Sequence, residues 1–135
     1  MGMRDMNVES KDGSLFALGF SPRPETKYLR LILMDRIAML SEIVAANPAD
    51  SFARYGLAME YSKAGQVEQA LAEFKTLIEK NPDYTPGYFM AAQALANASR
   101  VDEAKRWLVD GISSARRTGN NHAQSEMTAM LEELG

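Results

Sequence analysis

One interval organises this chain: 34 residues. Asn47-Pro48 recurs as Asn81-Pro82 at that distance. The same offset pairs Ala58 with Ala92, Ala64 with Ala98, Val67 with Val101, Ala70 with Ala104 and Ile78 with Ile112. It also pairs residues similar in kind, namely Tyr55 with Phe89, Glu68 with Asp102, and Phe74 with Leu108. Each unit holds two stretches whose apolar residues recur every three to four positions, which is the spacing of one helix face. A unit of this size cannot bury such faces alone, so neighbouring units must stack. The chain is therefore expected to be all-α and built from helical hairpins.

Within the first unit, Leu57, Ala58 and Tyr61 are followed by Ala70, Phe74 and Pro82. Within the second, Tyr88, Ala91, Ala92 and Leu95 are followed by Ala104 and Leu108. This order and spacing resembles the tetratricopeptide repeat, in its small stand-alone bacterial form. Two positions depart from that pattern. Arg54 stands where the repeat carries Trp, and Arg116 stands where Pro would close the second unit. The resemblance implies a right-handed superhelix of α-α hairpins, and a protein–protein interaction role without catalysis.

Helices are expected at about 50–64, 67–80, 85–98 and 101–117. Gly65 suits the left-handed conformation that ends a helix, and Thr85-Pro86 reads as an N-cap followed by the first helical residue. Upstream, Leu29, Leu33, Ile37, Leu40 and Val44 trace an amphipathic helix. Its end aligns with the second half of a unit, placing Leu40 opposite Phe74 and Ile43 opposite Leu77. Downstream of Gly119, the stripe Ala123, Met127, Met130 and Leu134 predicts a capping helix at about 120–134. The organisation expected is a flexible arm at 1–24 and a helical domain at 25–135. That domain would hold repeats at about 51–84 and 85–118, a leading half-repeat and the cap. The arm's apolar run Leu15–Phe20 is a candidate for docking into a groove of its own or a neighbouring molecule.

Composition narrows the function classes. The chain has 135 residues, 46% of them hydrophobic, with 15 Lys plus Arg against 18 Asp plus Glu. A net charge of -3 is unlike a phosphate-backbone binder, so no nucleic-acid partner is expected. No run approaches a membrane span, and no secretory signal is evident, so a cytoplasmic location is expected. There is no cysteine, and His122 is the sole histidine. No metal site, cofactor or catalytic residue is expected. Asp102-Glu103 reads as acidic residues in a helix's first turn, and Glu132-Glu133 as a solvated face. Arg116-Arg117 reads as a helix C-terminal pair, His122 as a surface residue, and Trp107 as packing against the last helix.

In repeats of this kind the first helix of each hairpin lines the concave surface. Here those helices would present Phe52, Tyr55, Met59 and Lys63, then Phe89, Met90, Gln93 and Asn97. Some family members clamp a C-terminal carboxylate with Lys, Asn and Arg in this groove. Tyr55, Met59 and Met90 stand in those places, which argues against such a clamp. The groove is expected to be apolar, with methionine as an adaptable surface for a partner helix or peptide. Two readings stay open. The groove receives another protein, or it is filled by the chain's own arm or a second copy, as in a homodimer.

Overall fold

Asp50 starts the first complete hairpin: its carboxylate accepts from the Ala53 amide at 3.0 Å, capping a helix that begins at Ser51. The computed structural model describes residues 24–135, with side chains from Lys27 onward. Six helices follow in order: α1 Pro24–Ala46, α2 Ser51–Lys63, α3 Val67–Lys80, α4 Thr85–Asn97, α5 Val101–Thr118 and α6 Asn121–Leu134. No strand occurs among the described residues. The expected arm and its Leu15–Phe20 run lie outside them. The chain divides into two units within α1, Met1–Ile32 and Leu33–Gly135, and the hairpins belong to the second.

The repeat is visible in the turns. Between α1 and α2 the Asp50 amide donates to the Asn47 carbonyl at 3.0 Å, and between α3 and α4 the Tyr84 amide donates to Asn81 at 3.0 Å. Both Asn-Pro marks thus build the same turn. Inside the first hairpin Gly65 closes α2 at φ 77°, and after the second hairpin Gly119 separates α5 from α6 at φ 69°. Ser99, the counterpart of Gly65, is held at φ 62° despite its Cβ. Left-handed backbone costs an L-residue about 1–2 kcal/mol, partly offset by the extra freedom glycine loses on folding. Ser99→Gly is therefore expected to stabilise the protein by about 0.5–1 kcal/mol, read as a higher urea midpoint at unchanged slope. A lower midpoint would show that the Ser99 side chain contributes more than its strain costs.

Small residues set the helix spacing. Ala58, Ala70, Ala91, Ala92 and Ala104 are fully buried, so α2 packs closely on α3 and α4 on α5. Phe74, Leu77, Leu95 and Leu108 fill the space between, and Met127 of α6 seals the end. The closest approach is at Gly111. A Cβ there would stand 2.6 Å from both Met127 Sδ and Tyr88 Cβ. Its counterpart one unit earlier is Leu77, which instead reaches over Gly87.

The structure corrects two expectations. Thr85 is not the N-cap of α4; Tyr84 occupies that position. The Thr85 hydroxyl instead pairs with Ser114 at 2.8 Å, a buried tie between α4 and α5. Ile43 does not repeat Leu77: it is 41% exposed, whereas Leu77 is buried. Leu77 lies over Gly87, whereas the first hairpin carries a buried alanine, Ala53, at the position equivalent to Gly87. Val44 turns inward instead, packing with Ala53 and Leu57. Trp107 meets Tyr88 of α4, ring centroids 6.1 Å apart, a contact that the sequence alone does not name.

That last contact explains the missing Trp at position 54. The Tyr88 hydroxyl donates to the Pro82 carbonyl at 2.7 Å. One unit earlier, Arg54 donates to the Pro48 carbonyl at 3.2 Å and pairs with Glu73 at 2.8 Å. Glu73 is the 34-residue counterpart of Trp107. The same two positions hold an ion pair in one hairpin and an aromatic pair in the other.

Candidate functional site

The expected groove residues fall into separate environments. Phe52, in the first turn of α2, is 77% exposed. Tyr55, one turn on, leans on Tyr84 at 5.4 Å and meets Phe74 edge-on at 6.5 Å. Burial raises the Tyr55 phenol above its ordinary value, with Tyr84 adding to the effect. Burial also raises Tyr84, helped by the charge of Asp50. Both phenols stay neutral near pH 7, giving an uncharged aromatic step where α2 meets α4. Met59 and Met90 are half-buried against the core, and Lys63 is exposed beside Glu60 at 3.4 Å.

Phe89, Gln93 and Asn97 do converge. They repeat every four residues along α4, so they form one stripe, which lines a groove of about 550 Å³. The opposite wall is α6, through Glu126, Ala129, Met130 and Glu133. Phe89 and Met130 give the groove an apolar floor, while Gln93 and Asn97 supply amide donors and acceptors. Glu126 and Glu133 add two carboxylates, so the groove is mixed rather than apolar. The α6 wall was missed because its stripe at Ala123, Met127 and Met130 reads as a cap. The adjacent stripe Glu126, Met130 and Glu133, also spaced three to four apart, is the signal that locates it.

Of the charged pairs singled out in the sequence, Asp102-Glu103 and Arg116-Arg117 each lend a residue to the scaffold, whereas Glu133 of the third lines the groove. Arg100 bonds Glu103 twice, at 2.6 and 2.9 Å, and also pairs with Glu68 of α3. The Arg100 guanidinium holds the Glu103 carboxyl below its ordinary range. Arg117 pairs with Asp83 at 2.9 Å and donates to the Pro82 carbonyl, tying the end of α5 to the turn before α4. His122 is exposed, 3.5 Å from Glu126. Trp107 borders a second hollow of about 370 Å³ with Lys75, Ile78, Glu103, Arg106 and Asp110, between α3 and α5. Among the described residues no group of His, Asp and Glu could hold a metal ion, and no helix is long and apolar enough to cross a membrane.

Known proteins share this architecture. A TPR repeat-containing protein of Pseudomonas aeruginosa is 27% identical over 95 residues, covering 70% of this chain and 90% of that one. A tetratricopeptide repeat domain protein of Salinibacter ruber, solved in solution, superposes with a TM-score of 0.61 at 33% identity. That match covers 65% of this chain and 89% of the other. PcrH, in complex with the chaperone binding region of PopD, gives a TM-score of 0.70 at 18% identity, over 81% and 83% of the two chains. The Yersinia enterocolitica chaperone SycD, in complex with a peptide of the translocator YopD, gives 0.68 at 18%, over 81% and 84%. The tetratricopeptide repeat pattern itself matches residues 37–90 and again 61–124. Those two matches together span well over half of the sequence and enclose both Asn-Pro turns and both hairpins, so the chain belongs to the tetratricopeptide repeat family.

Proposed function

We propose that this protein is an interaction module, without catalysis of its own, that receives a partner helix or peptide in the groove between α4 and α6. The observation that carries this reading is the groove's make-up: an apolar floor of Phe89 and Met130 beside the amides of Gln93 and Asn97. Apolar side chains dock on such a floor, and amides satisfy the polar groups that docking buries. Tyr55, Met59, Met90, Phe52 and Lys63 lie outside this groove's lining and are not part of the docking site proposed here. PcrH and SycD, whose fold this chain shares, are seen with segments of partner proteins bound.

The test is selection of binding peptides from a displayed random library on the wild-type protein, repeated on Phe89→Glu. Phe89 is half-buried at the groove, so the variant is expected to keep its helical circular dichroism. It places a third carboxylate beside Glu126 and Glu133 and removes the aromatic anchor. Loss of a central anchor typically costs 2–4 kcal/mol. Selected peptides are therefore expected to bind the variant about 100-fold more weakly. Undiminished binding would reject the groove as the docking site.

A further inference from the structure

We propose that the α4–α6 groove takes the first turns of α1 from a second copy of this chain. This rests on the reading of that groove as a docking site and names an occupant for it. Charge and shape on the two surfaces match. The groove has Phe89 and Met130 at its floor and Glu126 and Glu133 at one wall, with no Lys or Arg among its lining residues. The two carboxylates are seven residues apart on one helix, two turns or about 10 Å. On α1, Lys27, Arg30, Leu31 and Met34 follow the i, i+3, i+4, i+7 spacing that places them on one face, also two turns long. Leu31 is 50% exposed and Met34 57%, and Lys27 and Arg30 are exposed as well. A helix laid along the groove would cover those apolar side chains and bring two cations to the two carboxylates.

The contact is heterologous, since a face at one end of the chain meets a groove at the other. Copies therefore either close on each other reciprocally or add on in sequence. Because the attraction is between partly solvated charges, association should weaken as salt rises.

The experiment is sedimentation of the full chain across a wide concentration range, with charge reversals on each surface. Wild type is expected to self-associate. Glu126→Lys with Glu133→Lys, or Lys27→Glu with Arg30→Glu, should weaken association about 10- to 100-fold, since like charges brought together cost several kcal/mol. Combining all four reversals should restore association, which general damage to either surface would not do. A wild type that stays monomeric throughout would overturn this inference. If such a monomer still binds selected peptides through Phe89, the interaction-module reading survives that failure. Association unchanged by the reversals but lost in Met39→Glu with Ile43→Glu would also overturn it, by locating the contact on the other half of α1.

Discussion

Replacing Phe74 by alanine should destabilise the protein by about 3–5 kcal/mol, the usual cost of truncating a fully buried aromatic. Phe74 is wholly inaccessible and sits among the alanines that bring α2 and α3 together, so the hairpin has little room to collapse into the space left. Small domains are typically stable by 5–15 kcal/mol, so a loss of this size leaves a marginal fold. The repeat supplies its own control. One unit later the position holds Leu108, also fully buried. Phe74→Leu should therefore cost under about 1.5 kcal/mol, because the neighbouring architecture already accepts that side chain. The edge of the Tyr55 ring rests on Phe74, so the alanine variant should also weaken any ligand that touches Tyr55. Urea unfolding followed by circular dichroism measures the first effect. A cost below about 1 kcal/mol for alanine would mean that Phe74 is not the keystone its burial suggests.

The second large effect concerns the pair that replaces the expected Trp. Removing Glu73 leaves the Arg54 guanidinium on a side chain that is only 10% exposed. Arg54 Nε is already buried without a hydrogen-bond partner among the described residues. Breaking a buried pair typically costs 3–5 kcal/mol. The Glu73 side chain is 23% exposed, so solvent moderates the loss, and Glu73→Ala should cost about 2–3 kcal/mol. Replacing both partners behaves differently, because no charge is left stranded. Arg54→Tyr with Glu73→Trp installs the pair found at Tyr88 and Trp107, and the new phenol can donate to the Pro48 carbonyl as Tyr88 donates to Pro82. The double variant should be neutral or up to about 2 kcal/mol more stable than wild type. Thermal and urea unfolding of the single and double variants decide the matter. A double variant as unstable as Glu73→Ala would show that the two hairpins differ in backbone geometry and not only in side chains.

What could be read from the sequence was what depends on neighbours along the chain. Gly65 and Gly119 punctuate helices because many helix ends close through a left-handed residue, which glycine adopts at least cost, and that preference is local. The alanines at 58, 70, 92 and 104 announced close hairpins because the 34-residue offset showed each one twice. What could not be read depends on how one helix is rotated against another. Ile43 and Val44 are adjacent apolar residues, and it is Val44 that turns inward, to pack with Ala53 and Leu57. Trp107 meets Tyr88 across two helices, a contact that no spacing along the chain announces. The groove was half legible: Phe89, Gln93 and Asn97 lie in one stripe, whereas their opposing wall comes from α6, outside the repeat, where the offset gives no guidance.

The bare backbone at Gly111 makes the array directional. Its hollow is filled by Met127, a residue that belongs to α6 and to neither hairpin. A Cβ at position 111 would meet Tyr88 of α4 as well as Met127 of α6, so this close approach fastens the terminal helix to the second hairpin in particular. At the corresponding point of the first hairpin stands Leu77, which fills the space with its own side chain. The two ends of the array are therefore not interchangeable, and α6 is a terminator matched to the unit it closes.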